Sequence, residues 1–239
     1  MFNIRTAKHL AAKCGLTRAA IGVAILAAGC GGLAAPASAS QNFRIWSGVA
    51  TGNTNTSTSR WTYREGTAFP YALMPQNHTA AVRQNTVPSV LPGWRDPSSP
   101  NKLPAIFKHN NQGGPSGVWD FISNSVAIPL PYSTIFLRPS ATSEAVLEFQ
   151  VPSGYPTIKG GVNFTTIDNT CGNGIAWRAE FNGSVFNSGT LAPGTSSGTV
   201  VVFYPNGVTA GDKFDFVVDA LGNESCDTTS ITGQLTMEP

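Results

Sequence analysis

The 239-residue chain carries 15 Lys and Arg against 13 acids, with only 12% charged residues but 25 glycines and 17 prolines. Its formal +2 belongs to the first 39 residues, which hold Arg5, Lys8, Lys13 and Arg18 and no acid; beyond them 11 bases face 13 acids, a net of −2. No basic run remains there to form the electrostatic footprint of a nucleic-acid binder, and the wealth of turn residues suits an all-β sandwich or barrel.

The chain opens on the layout of a secretory signal peptide: basic residues, the apolar stretch Ala19 to Ala28, then Ala35-Pro36-Ala37-Ser38-Ala39. Ten apolar residues before Gly29 are too few to cross a bilayer, which takes about 20. The expected cut follows Ala39, with Ala37 as the nearby alternative, leaving residues 40 to 239 as a single domain without a transmembrane span. Leu26-Ala27-Ala28-Gly29-Cys30 partly matches a lipobox, with Ala27 where a large aliphatic residue is usual, so lipidation at Cys30 is the competing route. Either route places the body outside the cytoplasmic membrane, secreted, periplasmic or anchored at the cell surface, where disulfides persist.

From Gln41 to Pro131 the pattern is irregular. Short strands are expected at Asn42 to Trp46 and Arg60 to Arg64, around a polar loop from Thr51 to Ser59. Pro88, Pro92, Pro97, Pro100 and Pro104 punctuate a Pro/Gly-rich insert at about 81–124, expected as a loop over one end of the domain or a small appendage. No helix longer than two turns is expected, because apolar residues at helical spacing are absent.

The second half alternates with a period of two. Leu147, Phe149 and Val151 share one face against Glu148 and Gln150; Ile175, Trp177, Ala179 and Phe181 oppose Arg178 and Glu180; Phe214, Phe216 and Val218 oppose Lys213 and Asp215. Further strands are expected at Val162 to Ile167, Thr199 to Tyr204 and Ser230 to Met237. The expected core holds Leu147, Phe149, Phe164, Trp177, Phe181, Phe203, Phe216 and Val218. Asn182-Gly183 between two strands predicts a type I′ hairpin, and Asn206-Gly207 and Ala210-Gly211-Asp212 predict further turns. Strands at this spacing predict a two-layer antiparallel β-sandwich.

The order of elements from Phe136 to Met237 resembles the jelly-roll, galactose-binding-like modules of secreted bacterial proteins, which are similar to carbohydrate-binding modules. The resemblance rests on Leu137-Arg138-Pro139 before the strand at Ala145, the loop Asp168 to Gly174, Trp177 on the next strand, Asn182-Gly183, Ala210-Gly211-Asp212 before Phe214, and Cys226-Asp227-Thr228-Thr229. It covers about half of the mature chain. It implies binding to a polysaccharide or surface glycan, and a calcium ion for which Asp168, Asp212, Asp219 and Asp227 are the candidate ligands.

Cys171 and Cys226 are the cysteines left after cleavage at Ala39, and on an exported chain a disulfide is expected between them. A sugar site needs a flat aromatic face framed by hydrogen-bonding side chains. Trp94 and Trp119, beside Arg95, Asp96 and Asp120, fit that description; their structural alternative is to plug the sandwich beneath the insert. Catalysis has little support. Gly-x-Ser-x-Gly and His-Glu-x-x-His are absent, and Glu144 and Glu148 would stand about 13 Å apart on a strand, beyond the roughly 5 to 9.5 Å of paired glycosidase carboxylates. His109 with Tyr132 remains as a possible acid-base pair of a lyase or hydrolase. The competing non-enzymatic role is a surface or matrix protein that contacts other envelope proteins, for which an uncovered sheet edge would be the mark.

Overall fold

The computed structural model describes residues 39–45, 55–84, 87–98, 103–109, 119–123, 126–130 and 134–239; at 78–84, 87–90, 119–123 and 126–129 the backbone alone is described. The leader, Cys30, Trp46 and Tyr132 lie outside the described residues. All described residues belong to the compact unit Ser38–Pro239, and the named elements are strands throughout. Among the described residues no helix is long and apolar enough to cross a membrane.

In chain order the strands are β1 (Gln41–Arg44), β2 (Trp61–Gly66), β3 (Ala72–Leu73), β4 (Gln76–Gln84), β5 (Val87–Arg95), β6 (Ala105–Lys108), β7 (Trp119–Ser123), β8 (Val126–Pro129), β9 (Ile135–Arg138), β10 (Glu144–Gln150), β11 (Thr157–Thr166), β12 (Ile175–Phe181), β13 (Ser184–Leu191), β14 (Val200–Tyr204), β15 (Lys213–Asp219) and β16 (Thr229–Glu238). They form two antiparallel sheets. The first runs β14-β11-β16-β9-β6-β5-β4-β7-β8, with β1 beside the C-terminal half of β16; the second runs β13-β12-β15-β10-β2-β3. This is a two-layer β-sandwich of the jelly-roll type.

The layers meet where alternation aims the apolar side chains. Val162, Phe164, Val200, Val202, Ile231, Leu235 and Met237 of the first sheet pack on Trp61, Leu147, Phe149, Trp177, Phe214 and Phe216 of the second, all within one core. The rings interlock: Phe164 stacks on Trp177, and Trp61 lies against Phe149 and Phe216. Asn182 (φ 48°) and Gly183 (φ 78°) are both left-handed between β12 and β13, as a type I′ turn requires. A disulfide joins Cys171, between β11 and β12, to Cys226, between β15 and β16, with Cα atoms 5.6 Å apart. It ties the two sheets together at one end, and a sequence separation of 55 corresponds to about 4 kcal/mol in the chain-entropy model.

Two expectations change. The described residues of the insert at about 81–124 are neither a loop nor an appendage: they supply strands of the first sheet. Leu91, Leu103, Ala105 and Phe107 there join Leu130 and Phe136 in a second apolar cluster on the sheet's outer side. Proline punctuation hid these strands, because a proline cannot donate to the ladder and so argues against a strand when it is read from sequence. Phe203, expected inside, is 59% exposed, and Val200 and Val202 take the inward positions. With every residue of Val200 to Tyr204 apolar or aromatic, alternation by itself could not decide which face turns inward.

Candidate functional site

Only part of the first sheet's outer side is covered by the second apolar cluster. Over β14, β11, β16 and β1 nothing among the described residues covers it, and the register defines what it presents. One row runs Val201, Gly161, Gln234, Arg44; the next runs Phe203, Lys159, Thr236, Asn42. Three interstrand spacings make the platform about 14 Å wide. Among the described residues four large apolar side chains are exposed, Val185, Val201, Phe203 and Leu221, and Phe203 is the one aromatic ring of the four.

Around this ring the platform is polar. Asn42 Oδ1 accepts the Thr236 hydroxyl at 2.7 Å. Lys159 is ion-paired with Glu238, and both remain partly exposed. Gly161 leaves the floor flat between Val201 and Gln234, and a Cβ there would meet the Thr199 methyl at 2.7 Å. The result is a ring face and an isopropyl group set among amides, hydroxyls and two cations. Such a surface can lie against the apolar side of a sugar ring while exchanging hydrogen bonds with its hydroxyls.

The residues singled out from sequence lie elsewhere. Trp94 is 8% exposed and stacks on Tyr63 within the core, with ring centroids 6.4 Å apart, so its ring is used in packing. Arg95 donates to Gln76 Oε1 at 2.9 Å, and Asp96 accepts the Ser98 amide and hydroxyl. Burial, with the nearby charge of Asp96 adding to it, pushes Glu65 up to about 7. Trp119 and Asp120 pair with Gln84 and Arg83 at one end of β4, whereas Arg95 and Trp94 pair with Gln76 and Asn77 at the other. Seven residues of strand put the two pairs of backbone positions about 23 Å apart along β4. The side chains of Trp119 and Asp120 lie outside the described part of the structure.

The four aspartates do not meet either. Asp212 precedes β15 and accepts the Thr209 amide and hydroxyl and the Asn182 amide, while Asp219 ends the same strand, about 23 Å away. Asp168 and Asp227 sit near the disulfide, and their charges and that of Glu224 all bear on the Arg138 guanidinium. Asp168 is fully buried and Oδ1 holds the Thr170 amide and hydroxyl. A guanidinium already supplies the positive charge at this end, so the set does not fit a four-aspartate calcium site. The group of three possible metal ligands found here, Asp168, Cys171 and Cys226, has its two sulfurs spent in the disulfide.

Glu144 and Glu148 share a face of β10, as alternation requires, and both are buried in ion pairs. Arg178 donates to both oxygens of Glu144 at 2.6 Å, and Arg64 and Lys213 hold Glu148 at 2.8 and 3.0 Å. His109 is fully buried.

No protein-family model matches the chain, and no curated protein matches it. Among solved structures it is similar to a CBM51 module from Clostridium perfringens GH95 in complex with methyl-galactose, at 12% identity and TM-score 0.34, over 69% of this chain and 93% of that one. It is similar also to the CBM36-1 domain of a multidomain xylanase from the hindgut metagenome of Trinervitermes trinervoides, at 11% identity and TM-score 0.32, over 46% and 80%. A third is the Stig cyclase Fisc from Fischerella sp. TAU, bound to an indole compound, at 12% identity and TM-score 0.39, over 80% and 91%. At these scores the fold assignment rests on the chain's own two sheets.

The platform escaped the sequence because Phe203 reads as core and Asn42, Arg44, Lys159 and Gln234 come from three distant segments. The one local signal was the run Val200 to Tyr204, apolar on both faces, which marks either double burial or an exposed patch.

Proposed function

We propose that the chain is an exported, non-catalytic module that holds a neutral or weakly charged glycan outside the cell on the open face of β14, β11, β16 and β1. The observation that carries this reading is Phe203, an exposed ring on a flat sheet face, flanked by Asn42, Gln234, Thr236, Arg44 and Lys159. Phe203 and Val201 lie on the same face of β14 and make an apolar patch rimmed by polar groups, the kind of surface that marks a contact site. The strands that make this face are other than β5, which carries Trp94 and Arg95, and β7, which carries Trp119 and Asp120. A single shallow platform binds weakly, with a dissociation constant on the order of micromolar to millimolar, because few rings stack and the polar groups first lose water.

The test is a glycan array followed by calorimetry on the mature protein, repeated with Phe203→Ala and Gln234→Ala. Binding that survives both substitutions in folded protein places the site elsewhere. Absence of binding at millimolar polysaccharide favours the second reading, a structural contact with other envelope proteins, for which the specific observation is that β14 ends the first sheet and carries no charged residue. Export is part of the proposal, and mass spectrometry of protein from its native envelope should give Ser40 as the first residue; a diacylglyceryl group on Cys30 would make it a tethered protein instead.

A further inference from the structure

Over β2, β10 and β15 the outer side of the second sheet is covered, although its sequence alternates as if it faced water. Thr62, Glu148, Asp215 and Glu180 stand directly opposite one another across β2, β10, β15 and β12. Directly opposed residues have Cβ atoms about 4.5 to 5.5 Å apart, so Asp215 has a carboxylate on each side, and all three acids are buried. Glu148 is held by Arg64, Lys213 and the Thr62 hydroxyl. Glu180 is held by Arg178 and, at 3.1 Å, by the Tyr71 hydroxyl. Neither oxygen of Asp215 has a hydrogen-bond partner.

Charge counting gives a reason. Glu144, Glu148, Glu180 and Asp215 would carry four negative charges against the three positive ones of Arg64, Arg178 and Lys213, and Asp219, at the end of β15, adds its charge against Glu144. Acids are in excess, and Asp215, buried between two carboxylates with neither oxygen hydrogen-bonded, is the group placed to hold a proton. Burial first, then Glu148 and Glu180, push Asp215 up to about 7 against the pull of Lys213 and Arg64.

The seal is the segment from Gly66 to Tyr71, which leaves β2 and doubles back over this face. Its Phe69 ring abuts Gly183, where a Cβ would touch it at 2.7 Å, and lies 5.8 Å from Lys213 Nζ. Tyr71 and Phe69 cover Val146 and Val217. The Tyr71 carbonyl accepts Arg64 Nη1 at 2.6 Å, and its hydroxyl accepts Arg178 Nη2 at 2.7 Å. These polar anchors of the strap all belong to the charge network beneath it.

We propose that the strap from Gly66 to Tyr71 is a latch held shut by a proton in the carboxylate row, and that ionisation of Asp215 releases it to uncover Val146, Val217 and the Arg178–Glu144 pair. With three adjacent buried carboxylates charged, Arg64 and Arg178 are drawn toward the row and away from Tyr71, and water entering under the strap relieves the repulsion. Opening restores an ordinary carboxylate environment to Asp215, so protons bind the closed form more tightly. The ratio of open to closed therefore climbs, by up to tenfold per pH unit, between the ordinary aspartate range near 3.8 and about 7, and levels off above.

Hydrogen exchange of residues 66 to 74, read by mass spectrometry from pH 4.5 to 8 on the mature protein and corrected for the intrinsic rate, tests this. The expected result is a loss of strap protection of tenfold or more up to about pH 7, then a plateau. Asp215→Asn should keep the strap protected throughout, and Tyr71→Phe should leave it open at every pH while residues 162 to 166 stay protected. An unchanged slope in Asp215→Asn overturns the proposal. If that variant does not fold, the wild type decides: a flat profile, or a slope shared equally by residues 162 to 166, overturns it as well.

Discussion

Trp177 and Phe164 lie with ring centroids 5.1 Å apart and planes 21° from parallel, one ring from each sheet, so the two layers are joined by an aromatic stack within the core. Gly189 on β13 lets the indole lie flat, since a Cβ there would stand 3.0 Å from it.

From this stack follows the first stability prediction. Trp177→Ala should cost about 3 to 5 kcal/mol, measured by chemical denaturation, because it removes a large buried ring and leaves a cavity between rigid sheets. A loss below 1 kcal/mol would mean that the ring is not packed as described.

The bond between Cys171 and Cys226 closes one end of the sandwich, where Asp168 and Asp227 are also buried. Thiol counting on unfolded protein without reductant should find none free in the mature chain. Reduction should lower stability by about 2 to 5 kcal/mol, as is usual for small exported domains. Two titratable thiols in the oxidised sample would contradict the bond.

Phe203 and Trp94 should separate binding from folding. Phe203→Ala should weaken glycan binding tenfold or more at unchanged melting temperature, since the ring is mostly solvated. Trp94→Ala should do the reverse, destabilising by about 3 to 5 kcal/mol through loss of its core packing. Equal effects of the two on binding would remove the platform as the site.

Asp227 supplies a pH dependence. Burial pushes its carboxyl up to about 7, against the pull of Arg138, with Glu224 and Asp219 adding to the rise. The folded state therefore binds a proton more tightly than the unfolded chain, and this contribution to stability, complete below about pH 3.8, is lost as pH rises through about 7. Denaturation midpoints should fall across that window, and Asp227→Asn should flatten the fall without abolishing it, because Asp215 contributes a slope of the same sign. A midpoint that rises from pH 4 to pH 7 would refute the assignment.

The sequence by itself determined the elements whose information is local. Alternation in Ala145 to Val151 and Lys213 to Val218 set which side chains face the core, and Asn182-Gly183 set a hairpin, because strand period and left-handed turns depend on neighbouring residues alone. Cys171 and Cys226 were pairable because they were the cysteines remaining after the expected cut. What only the tertiary structure decided depends on register between distant segments. Phe203 changed sides because an all-apolar strand carries no preference for either face. The strands of the insert were recognisable only once a sheet edge existed for them to join. Glu144, Glu148, Arg178 and Asp215 alternate as if solvated, yet Gly66 to Tyr71 folds back over them, and no local pattern announces what will cover a face. Asn42, Lys159 and Gln234 became neighbours through the pairing of β1, β11 and β16, a relationship fixed by long-range packing rather than by any stretch of sequence.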